Sequence, residues 1–240
     1  MIGIYQSFMT DIFLERKIRM KKLKGFLFVL CTTLSMGVLT ACSNTDTDTY
    51  KNYVQGVLDT NFKGVYDDYM KLTNAAETEA AEIYESNITA ITDDFLSSGL
   101  ITDPTEEERE RLRQFAIALL NKADYKVKDV EKKDEAYYVN VEIRPYIFYS
   151  TLQDKLLTKY SELSEKYLDT DIDSMSNEEY AGYVSEYNEA TFALMDEVLN
   201  LNEYGEPITV ACKITVTEDY YEINSSDYET IYSTLYVPID

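Results

Sequence analysis

An α+β fold, an antiparallel sheet of about four strands packed with amphipathic helices, is predicted by three features of the sequence. Apolar residues recur at helical spacing over most of the chain after residue 50. The period switches to two near residues 125–149 and again near 208–223. Capping or turn residues stand at most of the boundaries. The order reads helix, helix, helix, hairpin, two helices, hairpin, helix, which makes the helical pair at 150–204 an insertion between two hairpins in one domain.

Residues 50–72 carry Tyr50, Tyr53, Val54, Val57, Leu58, Phe62, Val65, Tyr66, Tyr69 and Met70 on one helical face. Gly56 and Gly64 weaken that helix by about 1 kcal/mol each, so they mark either close packing or a bend. A second helix spans about Ala75 to Ser98, with Ala76, Ala80, Ile83, Tyr84, Asn87, Ile88, Ile91 and Phe95 inward and Gly99 suited to its end. Thr105-Glu106-Glu107-Glu108 is a capping box opening a third, with Leu112, Phe115, Ala116, Leu119 and Leu120 inward.

Tyr125, Val127 and a turn near Lys132-Lys133-Asp134 lead into a long strand with Tyr137, Val139, Val141, Ile143, Ile147 and Tyr149 on one face and Asn140, Glu142 and Arg144 on the other. Pro145 in that run predicts an edge strand or a bulge. Leu152, Leu156, Leu157, Tyr160, Leu163 and Tyr167 restore the helical period. A second capping box, Ser176 to Glu179, starts a helix through Tyr180, Tyr183, Val184, Tyr187, Leu194, Val198 and Leu201. Ile208, Val210, Cys212, Ile214 and Val216 alternate inward on the next strand, Tyr220–Ile223 returns beside it, and Ser226 with Glu229 suggests a closing helix.

The first forty-two residues are of another kind. They hold six basic and two acidic residues, so of 22 basic and 44 acidic residues in all, 16 and 42 lie after Cys42, a formal charge of −26. So acidic a domain is repelled by nucleic-acid phosphates, which argues against nucleic acid as a partner. From Met20, the working start, the chain reads Met-Lys-Lys-Leu-Lys-Gly and then an apolar run from Phe26 to Ala41. That is a cationic region followed by a signal-peptide core, shorter than the roughly 20 apolar residues of a comfortable membrane span. Residues 1–41 are therefore read as signal peptide, 42–49 as a polar tether and 50–240 as the domain.

The absence of histidine excludes Ser-His-Asp and Cys-His mechanisms and histidine-bearing zinc sites. With Cys31 in the leader and Cys42 at its end, Cys212 has no partner in the domain and is expected as an inert buried thiol. Asp169, Asp171 and Asp173 alternate as a calcium loop begins, but Ser174 stands where glycine is expected and Tyr180 where a bidentate glutamate is needed. An acidic loop before a helix is the simpler reading. On the sheet, adjacent rings must point to opposite faces, so Tyr138, Tyr146, Phe148 and Tyr220 could line a groove with Arg144 as its cation. No cofactor is called for.

Leu39-Thr40-Ala41-Cys42 resembles the bacterial lipobox. The resemblance implies diacylglyceryl transfer to the Cys42 sulfur, cleavage after Ala41 and residence on the outer face of the cytoplasmic membrane. Together with Tyr53–Tyr69 it is similar to a group of surface lipoproteins of Gram-positive anaerobic bacteria to which no site residues are attached. A long helix ahead of antiparallel strands also resembles cystatin-like and NTF2-like folds, which host binding modules more often than enzymes. The expectation is a membrane-anchored, non-catalytic module for a protein, peptide or glycan. The alternative is a carboxylate-based hydrolase of envelope polysaccharide.

Overall fold

A computed structural model describes residues 46–134, 136–167, 170–216 and 221–236. Its elements are α1 (Asp46–Lys63), α2 (Asp67–Thr73), α3 (Glu77–Ser97), α4 (Glu106–Leu120), β1 (Asp124–Lys133), β2 (Ala136–Arg144), α5 (Tyr149–Lys166), a 3-10 turn at Ile172–Ser174, α6 (Asn177–Leu201), β3 (Ile208–Val216), β4 (Tyr221–Ile223) and α7 (Ser225–Tyr236). The fold is α+β, with one four-stranded antiparallel sheet in the order β1-β2-β3-β4. The helical pair α5–α6 connects β2 to its neighbour β3.

The alternation of the strands sets the two faces. Val139, Val141, Ile143, Cys212 and Ile214 point inward and are buried beneath α1 and α7. The opposite face is polar. There Lys128 pairs with Glu142 and Arg144 with Asp124, each at 3.0 Å, and Asn140 donates to Asp129 and Glu131. β1 is the long edge. A register shift between Val127 and Val130 bulges it, and Lys126, Lys128, Lys132 and Lys133 lie along it.

Phe62, near the end of α1, is fully buried at the centre of a ring of tyrosines. Its centroid lies 6.0 Å from Tyr125, 6.5 Å from Tyr228, 6.1 Å from Tyr232 and 6.0 Å from Tyr236. This explains part of the tyrosine content: rings supply core area while hydroxyls reach backbone or carboxylate acceptors. Tyr236 donates to Leu120 O at 2.9 Å and Tyr125 to Asp59 Oδ1 at 2.7 Å.

Several expectations are corrected. Residues 50–72 form two helices. Gly64 turns the chain at φ +62°, and Gly56 lets α2 approach α1, since a Cβ there would stand 2.7 Å from Tyr69 N. Both readings of the glycines therefore hold, one at each position. Gly56→Ala gains up to about 1 kcal/mol of helix propensity but drives a methyl into backbone, an overpacking cost of about 1–3 kcal/mol. A net loss of about 1 kcal/mol is expected in urea denaturation.

Pro145 signals neither an edge nor a bulge. β2 lies between β1 and β3, and Pro145 follows its last residue, where no ladder hydrogen bond is lost. The tether is shorter than read, because Asp46–Thr49 form the first turn of α1. On α6 the buried stripe is Val184, Asn188, Thr191, Phe192, Met195 and Val198, while Tyr180 and Leu201 are exposed. Val216 is likewise exposed. The start of α7 is held by Asn224, whose Oδ1 accepts from Ser226 N at 3.1 Å and Asp227 N at 3.4 Å. No helix among the described residues is long and apolar enough to cross a membrane.

Candidate functional site

The residues expected to form an aromatic groove are not brought together. Tyr146 and Phe148 are 1% and 0% exposed, with ring centroids 6.1 Å apart in the core. The physical reason is that the chain leaves the sheet at Pro145, so strand alternation no longer governs them. Tyr146 N donates to Leu235 O, Ile147 N to Glu203 O and Gly205 N to Pro145 O. These bonds strap the segment down and turn both rings inward. Tyr138 stays half-buried on the polar face, and Arg144 is committed to Asp124 with its guanidinium 5.0 Å from the Tyr204 ring. Tyr220 lies outside the described residues, as do Leu39, Thr40, Ala41 and Cys42.

Of the acidic loop, Asp169 and the side chain of Asp173 lie outside the described residues, while Asp171 is exposed and leads into the 3-10 turn. Among the described residues no group of three or more His, Cys, Asp or Glu side chains is placed to hold a metal ion.

The structure instead offers a cleft of about 440 Å³ between the start of α4 and the first half of α6, residues 180–189. Both helices begin at capping boxes legible in the sequence, of which Thr105 and Glu108 line the cleft. Thr105 Oγ1 accepts from Glu108 N and Ser176 Oγ from Glu179 N. Asn188, fully buried on α6, ties that helix to the start of α4. Its Oδ1 accepts from Thr102 N at 3.0 Å, and its Nδ2 donates to Thr102 O at 2.8 Å and to Glu108 Oε1 at 3.0 Å. Arg111 fastens the same helices farther along. It bonds Glu189 at 3.1 Å and Asp196 at 2.9 Å, with its guanidinium 4.3 Å from the Phe192 ring.

The chemistry of the cleft is that of fixed acceptors. Asp103, Glu107, Glu108 and Glu189 line it with Thr105, Ser185 and Tyr180, and Arg111, paired with Glu189, is its cation. Burial pushes the Glu108 carboxyl up, but donation from Thr105 N, Asn188 and the Thr105 hydroxyl outweighs it and leaves the group below its usual range. It is ionised at neutral pH and holds no proton to give, so it is unsuited to the general-acid role that a carboxylate hydrolase requires. The signal that could have revealed the cleft is Asn188: a polar residue on a buried helical stripe demands partners from a neighbouring element.

Cys212 is 0% exposed, and burial raises its thiol to about 12, assisted by Asp227. In a chain begun at Ser43, native protein at pH 8 should be inert to a thiol reagent such as dithionitrobenzoate, and one equivalent should react on unfolding. Rapid native labelling would contradict the buried assignment.

No family model matches the chain, and no curated protein matches it. Among solved structures, one similar chain is described as a "putative lipoprotein" (YcdA) of Bacillus subtilis. It is 17% identical with a TM-score of 0.47, over 80% of this chain and 58% of that one, so this chain spans little more than half the length of that protein.

Proposed function

We propose that the chain is a lipid-anchored extracytoplasmic lipoprotein, held on the outer face of the cytoplasmic membrane through Cys42, whose acidic α+β domain binds a ligand without chemical turnover. The observation that carries this reading is the order of the leader: cationic residues from Lys21 to Lys24, an apolar run from Phe26, then Leu39-Thr40-Ala41-Cys42 ahead of a domain of charge −26. Two or three acyl chains hold a protein stably, where one gives only marginal binding. The non-catalytic part rests on the absence of histidine and on Glu108, whose environment stabilises the carboxylate.

The test is Cys42→Ser expressed in a Gram-positive host beside the unaltered chain. Labelled palmitate should enter only the unaltered protein, which should partition into detergent. Cys42→Ser should stay unlabelled and aqueous. Equal membrane retention of both would overturn the reading. Ligand classes are then screened by thermal shift, since a native-state ligand raises the melting temperature. Donor-rich ligands, cationic peptides and amino sugars, fit the acceptor-lined cleft best.

A further inference from the structure

On the reading of Cys42 as the lipidated residue, we infer that one end of the domain, the tyrosine rim where α1 begins, rests on the headgroup layer of the membrane. Reach sets the first constraint. Three residues separate Cys42 from Asp46. Four Cα steps span at most about 14 Å, so the first turn of α1 stays within that distance of the anchored cysteine whatever path the chain takes.

What lies around that turn sets the second. Tyr50 packs its ring 4.6 Å from Tyr137 at the start of β2 and 5.6 Å from Tyr221 on β4. Tyr53 donates its hydroxyl to Tyr221 O at 2.8 Å. The α1 start, the β1–β2 turn and the end of β3 therefore meet at one end of the sheet. Tyr50 and Tyr53 are buried there, but Tyr137 and Tyr221 are half-exposed and Val216 is exposed, and the Lys132 ammonium sits 5.2 Å from the Tyr137 ring.

Tyrosine rings backed by an aliphatic side chain, with a lysine that can extend its ammonium toward phosphate, make the surface that the membrane–water boundary selects. Asp48 and Glu131 on the same end oppose anionic lipid. The contact is therefore with zwitterionic headgroups, through rings, and is insensitive to salt.

The chain has no tryptophan, so a single introduced one reports without background. Tyr137→Trp and Val216→Trp are placed on the rim. Lys126→Trp is the control, since its ladder partner Glu142 lies five residues along β2 from Tyr137, about 17 Å. Full-length lipidated protein is reconstituted in phosphatidylcholine vesicles with brominated acyl chains. Strong quenching at either rim position, unchanged at high salt, is expected, with little at Lys126→Trp. Inserting ten Gly-Ser residues after Ser43 should reduce the rim signal several-fold. Equal signals at rim and control in correctly folded protein overturn the inference. If mass spectrometry finds Cys42 unmodified, the anchoring proposal itself fails; an acylated Cys42 with an unquenched rim sinks only the docking.

Discussion

Phe62→Ala is expected to lower the unfolding free energy by about 4 kcal/mol, with a fall in Tm of about 10 °C. The side chain is fully buried where three elements meet: α1 supplies it, β1 supplies Tyr125, and α7 supplies Tyr228, Tyr232 and Tyr236. Truncation removes ring–ring contacts on several sides. The rings left behind cannot close the gap, because Tyr236 is tied to Leu120 O and Tyr125 to Asp59. Urea denaturation monitored by circular dichroism checks it. A loss below about 1 kcal/mol would mean that the cluster is not the centre of the core.

Asn188→Ala should cost about 3 kcal/mol, more than most polar substitutions, because it strands both the N–H and the C=O of Thr102 as well as removing a donor from Glu108. Asn188→Leu should be no better, since it fills the volume and leaves the same groups without partners. The acid limb of stability separates this account from simple loss of packing. The Glu108 carboxyl lies below its usual 4.5 in the folded protein, so its contribution is present above that value and disappears as pH falls through the lower, folded one. In Asn188→Ala part of the depression is gone, and stability should fall less steeply below pH 4.5 than in the parent. Parallel acid curves for the two proteins would assign the loss to packing alone.

The element order was legible because two periods, 3.6 and 2, are written plainly in the chain and both capping boxes are local signals. Thr105 with Glu108 and Ser176 with Glu179 fix helix starts whatever the tertiary context. What required three dimensions was every choice that a neighbour decides. Gly64 reads the same in sequence whether a helix bends or stops, and only its positive φ beside the Tyr84 ring settles it. Pro145 reads as an edge marker until the strand is seen to end one residue earlier. Tyr146 and Phe148 follow strand parity on paper, but the backbone of Tyr146 is bonded to α7 and that of Ile147 to the segment after α6. The cleft was illegible for the same reason. Its walls come from residues 103–111 and 180–189, and the buried asparagine that joins them fell in a gap of the apolar pattern.

If the chain is anchored as proposed, the long outer strand bears on how its copies tolerate one another at high surface density. Proteins confined to a plane meet one another far more often than in solution, and an unpaired ten-residue rim of amide and carbonyl groups is where neighbours would zip together. The kink at Val127–Val130 interrupts the straight run such zipping needs, and the charged side chains along it, Lys126, Lys128, Lys132 and Lys133 with Asp124, Asp129 and Glu131, would have to give up water for a second strand to pair. Edge-to-edge pairing of copies is therefore disfavoured at this strand.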